Sequence, residues 1–235
     1  MRNETLKDII EWDIPNWSRA INKWDKCEDI VHAEGKRVLE LGGRSGGLSL
    51  YFALKGGSEV VCTDLDFIKN GKVEKAKKLH KKYGVEKQIT YEDVDATDIP
   101  YENYFDIVCF KSVLGGVGYN DNFEKQQLMM AQVYKALKKG GYCCFVENLT
   151  GLRLIQFLRK KIRPWGEGKW RYITKDECKI LVKEFQVETM ETVGVIGLLG
   201  RIKGLSWLFG KIDKFLEIFI KDNGRYIVSC ICKKS

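Results

Sequence analysis

Two aspartates and a glycine-rich run have the spacing needed to hold a nucleoside. The run Gly42-Gly43-Arg44-Ser45-Gly46-Gly47 follows the apolar stretch Val38-Leu39-Glu40-Leu41. Between a strand and a helix, such a turn lets a ligand approach the backbone without meeting side chains. Asp64 ends the next apolar stretch, residues 59–63. A carboxylate there can accept hydrogen bonds from both hydroxyls of a ribose. Asp95-Ala96 ends a third stretch, residues 89–94, where a side-chain acceptor and a backbone amide can read an adenine edge. Each aspartate alone also fits a strand-end turn or cap. Three aligned strand ends argue for one shared site.

Strand ends converge only if the strands lie side by side. Short apolar runs alternate with longer helical patterns along the 235 residues, which predicts a parallel sheet covered on both faces. Strands are expected at 37–41, 59–63, 89–94, 105–110 and 142–146, with final strands at 185–193 and 226–232. Helices are expected at 48–54, 68–83 and 123–137, closed by Gly56-Gly57, Gly84 and Gly140-Gly141. Thr174-Lys175-Asp176-Glu177 is a capping box, in which the threonine oxygen and the glutamate side chain satisfy amide donors at a helix start. Only 3 prolines and no Gly/Ser-rich linker interrupt the chain, so one domain over 1–235 is expected.

With these elements in place, the stretch from Arg37 to Glu147 resembles the class I S-adenosylmethionine-dependent methyltransferase family. Val38-Leu39-Glu40-Leu41-Gly42-Gly43-Arg44-Ser45-Gly46 is similar to its first motif, an acid followed by spaced glycines. Asp64 matches its ribose-binding acid, and Asp95-Ala96 resembles its adenine-contacting pair. Leu137-Lys138-Lys139-Gly140-Gly141 resembles the lead-in to its fifth strand. The resemblance implies a Rossmann-like α/β fold: a seven-stranded, mostly parallel sheet with an antiparallel last strand, in a three-layer α/β/α arrangement. It implies S-adenosylmethionine across the strand carboxyl ends, contacted by Glu40, Gly42, Gly43, Arg44, Gly46, Asp64, Leu65, Asp95, Ala96 and Lys111. Arg44 departs from the family, standing where a middle glycine is usual. It either bonds the methionine carboxylate or points into solvent, and its presence argues against a G-x-G-x-x-G dinucleotide site.

Methyl transfer from a sulfonium needs alignment above all, and a hydroxyl acceptor gains from a general base. His32 precedes the first strand and His80 lies in a lysine-rich helix, so neither is well placed. Near the expected carboxyl edge stand Lys111, Ser112, Tyr119, Glu147 and Asn148. Glu147, which follows the expected fifth strand, is the first choice as base, with a helix-entry or surface carboxylate as the competing role. Phe110-Lys111-Ser112-Val113-Leu114 is not the Asn/Asp-Pro-Pro-aromatic run of nucleic-acid amino methylation, and no Pro-Cys nucleophile occurs. Paired acids of the magnesium-dependent catechol type are missing too, so no metal is expected.

The net charge of +8 owes much to Lys69, Lys72, Lys75, Lys77, Lys78, Lys81 and Lys82, which read as the solvated face of a helix. The 8 cysteines contain no C-x-x-C, and most lie in apolar runs, as small buried residues do in a reducing cytosol. No apolar h-region follows Met1, and no apolar run reaches membrane-spanning length, so a cytoplasmic location is expected.

Three segments are expected to choose the acceptor. The first, about 1–34, carries Trp12, Trp17 and Trp24 and reads as a helical lid or as core aromatics. The second, about 150–172, holds Arg153, Arg159, Lys160, Lys161, Arg163, Lys169 and Arg171 with Trp165 and Trp170 between them. It suits an acidic or phosphate-bearing acceptor, or is a solvated insert. The third, about 203–221, has the stripe Leu205, Leu208, Phe209, Ile212, Phe215, Leu216, Phe219, flanked by Lys203, Lys211, Lys214 and Lys221. That pattern fits core packing, a homodimer, or peripheral contact with a membrane.

Trp17 and Ala20 together with the late helix resemble bacterial methyltransferases of surface-glycan and lipid pathways. The expected acceptor is therefore a small-molecule, glycan or lipid-linked group, methylated at oxygen. RNA methylation, resting on charge alone, and a non-catalytic cofactor-binding partner subunit are the alternatives. Nucleic acid is the less favoured partner.

Overall fold

The computed structural model describes residues 3–57, 59–154, 156–157, 170–196 and 206–235. Seven strands form one sheet: β1 Arg37–Leu41, β2 Glu59–Asp64, β3 Ile89–Asp93, β4 Phe105–Lys111, β5 Leu137–Asn148, β6 Gln186–Val193 and β7 Ile227–Lys233. Their order is β3-β2-β1-β4-β5-β7-β6. β1 to β5 pair in parallel, and β7 is antiparallel to both β5 and β6. The expected Rossmann-like fold is present.

Strand alternation sorts the core into two layers, as the period of two requires. Val38, Val60, Cys62, Ile107, Cys109 and Cys144 face one cluster. It is closed by α1 Asn3–Ile10, α2 Ile14–Ile21 and α4 Gly47–Ala53. Leu39, Leu41, Val61, Val108, Phe110 and Phe145 face the other, under α7 Phe123–Ala136 and α8 Lys175–Leu181. Short helices α3 Glu28–Val31 and α6 Leu114–Val117, with α5 Val73–Lys82 and α9 Ser206–Phe219, complete the described set. All eight cysteines are free, and all but Cys27 are buried.

Two boundaries differ from the sequence expectation. The lysine-rich helix starts at Val73 rather than near residue 68, because Asp66 and Gly71 adopt left-handed backbone at φ 50° and 67°. Its five lysines are exposed, as are Lys69 and Lys72 before it, while Val73, Ala76 and His80 form the buried face. β5 starts at Leu137, five residues before the expected 142, since Leu137 already pairs with Phe105. The capping box is formed: Glu177 N donates to Thr174 Oγ1 at 3.1 Å, and Thr174 N to Glu177 Oε2 at 2.7 Å.

The strand order reverses between β1 and β4. A crevice outside the carboxyl ends opens at such a switch point, and it is where ligands of open α/β sheets bind.

Candidate cofactor site

The glycine turn leaves β1 at this switch point and bends through left-handed backbone at Gly42, Arg44 and Gly46, with φ of 63°, 49° and 74°. Glycine adopts these angles freely, whereas Arg44 costs about 1–2 kcal/mol there. The turn is clasped to β2. Gly43 N donates to the Thr63 carbonyl at 2.6 Å, and Arg44 N to Asp64 Oδ2 at 3.1 Å. Asp64 Oδ1 accepts from Leu65 N at 2.8 Å. Each carboxylate oxygen therefore uses one of its two lone-pair directions and keeps one for a ligand.

Glu40, expected among the cofactor contacts, is engaged inside the protein. It is buried beneath the turn and accepts from Leu48 N at 3.0 Å, Ser49 N at 2.8 Å and the Ser49 hydroxyl. A carboxylate is favoured there because the first amides of α4 lack helical partners. Burial pushes its pKa upward, against those hydrogen bonds. Glu40 holds α4 to β1 and so fixes the turn that runs between them.

His80, set aside at the sequence level, supports the turn from below. Its Nε2 lies 2.8 Å from the Gly46 carbonyl, and its Nδ1 lies 2.8 Å from the Tyr91 hydroxyl. A Cβ on Gly46 would sit 2.4 Å from His80 Nε2. The signal was available in the spacing of Val73, Ala76 and His80, which puts the histidine on the inner stripe of α5.

The adenine-side expectation falls on an open surface. Asp95 is exposed, and its Oδ1 accepts from Thr97 N at 2.8 Å and the Thr97 hydroxyl at 2.7 Å, which is also the turn role weighed for it. Ala96 is half-buried beside it. Leu65 and Ile68, both exposed, offer apolar surface next to Asp64.

The segment joining α1 to α2 covers the turn. Glu11 Oε1 accepts from the Ser45 hydroxyl and from Lys75 Nζ at 2.7 Å. Lys111, at the end of β4, donates to the Ile10 carbonyl at 2.9 Å and lies 4.2 Å from the Trp12 ring centroid. The Arg44 guanidinium is 5.9 Å from the same ring, so it turns toward this segment. Burial pushes the Lys111 ammonium down to about 8. Trp17 and Trp24 are core residues; Trp12 alone reaches the site.

Gly47 sets how closely α1 approaches, since a Cβ there would meet the Ile9 carbonyl oxygen at 2.2 Å. Gly47→Ala is expected to push α1 outward, at a cost of about 1–3 kcal/mol for overpacking. Limited proteolysis should then cut between residues 3 and 12 faster than in the parent, with a lower melting temperature. Unchanged cleavage and melting would show that α1 does not rest on Gly47.

Glu147, the expected base, lies at the carboxyl end of β5 with its carboxylate already engaged. It is fully buried; Oε2 accepts from Val113 N at 2.7 Å and Leu114 N at 2.8 Å, and Oε1 from Asn148 N at 2.8 Å. These bonds are those of a helix-entry carboxylate at the start of α6. Burial pushes its pKa up to about 7, and the amides partly oppose that shift. Beside it, Asn148 Nδ2 donates to Ser112 Oγ at 2.7 Å, and both side chains are half-buried. Tyr119 is exposed.

Most of the basic insert, including Arg159, Lys160, Lys161, Arg163, Trp165 and Lys169, lies outside the described residues, as do Lys203 and Leu205. Of the remainder, Arg171 is committed internally, bonding Asp121 at 2.8 Å, Gln126 at 3.0 Å and Glu177 at 2.5 Å. Trp170 lies against α6, where a Cβ on Gly115 would meet its Nε1 at 2.0 Å.

Solved structures share this architecture. Geranyl diphosphate C-methyltransferase from Streptomyces coelicolor A3(2) superposes with a TM-score of 0.64 at 10% identity, over 92% of this chain and 80% of that one. The PH0226 protein from Pyrococcus horikoshii OT3 gives 0.63 at 16%, over 93% and 91%. The [4+2]-cyclase SpnF gives 0.62 at 15%, over 93% and 82%. At these identities the likeness is one of fold, and the cyclase shows that the fold alone does not fix a reaction. No curated protein matches the sequence. Residues 32–186, more than half of the chain and all of the cofactor turn, match the family model described as a methyltransferase domain, and the chain belongs to that methyltransferase family.

Proposed function

We propose that the protein transfers a methyl group from S-adenosylmethionine to an oxygen of a small-molecule, glycan or lipid-linked acceptor. The observation that carries this reading is Asp64, which clasps the glycine turn at the switch point and keeps acceptor capacity for a ribose diol. When bound, S-adenosylmethionine supplies a sulfonium-activated methyl whose thioether leaves without protonation. Gly42, Gly43 and Gly46 let it approach the backbone, Asp64 holds the ribose, and Leu65, Asp95 and Ala96 meet the adenine. Arg44 and Lys111 supply positive charge for the methionine carboxylate, and the segment around Trp12 excludes water.

The choice of oxygen rests on charge. Among the described residues at the carboxyl edge of β4 and β5, the carboxylate of Glu147 is committed to amides, and Lys111 is cationic. Such a site suits an acceptor oxygen that is already anionic, which needs alignment rather than a base.

Titration calorimetry with S-adenosylhomocysteine tests the cofactor site. Binding is expected, with no response to NAD. Asp64→Ala should weaken it roughly 10- to 100-fold, equivalent to about 1.5–3 kcal/mol for bonds to a charged acceptor. A folded Asp64→Ala protein with unchanged affinity would place the ribose elsewhere. Tritiated methyl transfer onto fractionated cell extract then separates an enzyme from a non-catalytic partner subunit: binding without transfer favours the latter.

A further inference from the structure

α9 is mounted with its acids inward and its aromatic residues outward. Asp213 is buried, where it accepts from Asn16 Nδ2 at 2.6 Å, Ile196 N at 2.7 Å and Val195 N at 3.1 Å. Glu217 pairs with Arg19 and accepts from Gly194 N. Gly210 lies against Pro15, so the helix seats closely on α2. Phe209, Ile212 and Leu216 are half-buried along the flank of that contact. On the outer face, Leu208 is 44% exposed, Phe215 60%, Ile218 74% and Phe219 68%. Phe215 and Phe219 stack edge to face at 5.3 Å. The sequence stripe is therefore split, half against the body and half in solvent.

Further exposed apolar residues lie in the segment that reaches the end of the helix. Leu152 and Ile220 both crowd Gly224, which brings the segment holding exposed Leu154 and Phe157 to the carboxyl end of α9. Scattered exposed apolar residues are ordinary, but a contiguous aromatic patch marks a contact surface. Its border is basic, apart from the half-buried Asp222, which pairs with Lys175 and Arg225. Both acids of α9 point inward, while Lys211, Lys214 and the following Lys221 are exposed.

We infer that this face docks on an anionic lipid surface. Phenylalanine and isoleucine would enter the boundary between headgroups and acyl chains while the lysines meet anionic headgroups. A second copy is a poorer occupant, because a two-fold contact over this face would set lysines against lysines. No described helix is long and apolar enough to cross a membrane, so the contact is peripheral. The inference does not depend on the methyl acceptor, although Asn16 ties α9 to the segment that covers the cofactor turn.

The test is co-sedimentation of the full chain with vesicles of phosphatidylcholine plus phosphatidylglycerol, against phosphatidylcholine alone. The protein should pellet with the anionic vesicles, stay in solution with the neutral ones, and be released by added salt. Phe215→Ser with Phe219→Ser should weaken binding by about 10-fold or more, as loss of buried apolar area predicts. Its melting temperature should be unchanged, since both rings are exposed. If that variant fails to fold, Ile218→Ser provides the same comparison. A protein that stays in solution with anionic vesicles at low salt overturns the inference. So does a self-association lost in the double variant, or retention on polyglutamate without retention on vesicles.

Discussion

Glu147→Ala should destabilise the fold by about 3–5 kcal/mol, a large share of the roughly 5–15 kcal/mol that holds a domain together. Three amide donors would lose their acceptor, Leu114 N in a buried place and Val113 N and Asn148 N in half-buried ones. Each orphaned donor costs about 1–3 kcal/mol, offset in part because no carboxylate need be dehydrated any longer. Urea unfolding should show a lower midpoint with the same slope. A pKa near 7 is also what a general base would have, so the number alone does not separate the two roles. Glu147→Gln separates them. It keeps one carbonyl acceptor and turns an NH2 group toward amide donors, so it too should lose stability. At a temperature where it stays folded, its methyl-transfer pH profile should keep the parent's shape. Loss of the acidic limb with unchanged stability would restore Glu147 as the base.

The fold and the cofactor turn were legible because their signals are local. Alternating apolar runs, a glycine turn and acids at strand ends are each read within about ten residues of chain. The direction of Glu40 was also legible, through strand parity: it shares a face with Val38, on the side that α4 covers, and not with Leu39 and Leu41. The role of Glu147 was harder, because its partners Val113 and Leu114 lie 34 and 33 residues away across β4 and β5. The orientation of α9 was beyond sequence pattern altogether. Apolar residues occur on every side of it, so periodicity left the inner face open, and Asp213 finds Asn16 197 residues earlier in the chain. Asp213 is the anchor of the helix on the body of the protein.

That anchor makes stability depend on pH. Asp13, Asn16, Asp213 and Tyr226 form a buried polar cluster where the α1–α2 turn meets α9 and β7. The Tyr226 hydroxyl donates to Asp13, and Asn16 Nδ2 reaches Asp13 at 3.3 Å and Asp213 at 2.6 Å. Burial pushes the Asp13 carboxyl from its ordinary 3.8 up to about 7, and the charge on Asp213 adds to that while Tyr226 and Asn16 oppose it. Asp213 is raised as well, again by burial first. The folded protein thus holds a proton that the unfolded chain releases near pH 4. Stability is fullest below that pH and falls as pH rises from there to about 7, by about 4 kcal/mol for a shift of this size. Asp13→Asn keeps the shape and the acceptor for Tyr226 but removes the titration of Asp13, leaving that of Asp213. At about pH 4 the two proteins should have similar urea midpoints, and at about pH 8 the variant should be the more stable. Because the cluster fastens the segment bearing Trp12, the parent should also exchange its amide hydrogens faster over residues 3–21 at the higher pH, and the variant should not. Parallel stability curves for the two proteins between those pH values would mean that Asp13 stays ionised in the fold, with Tyr226 and Asn16 alone holding its charge.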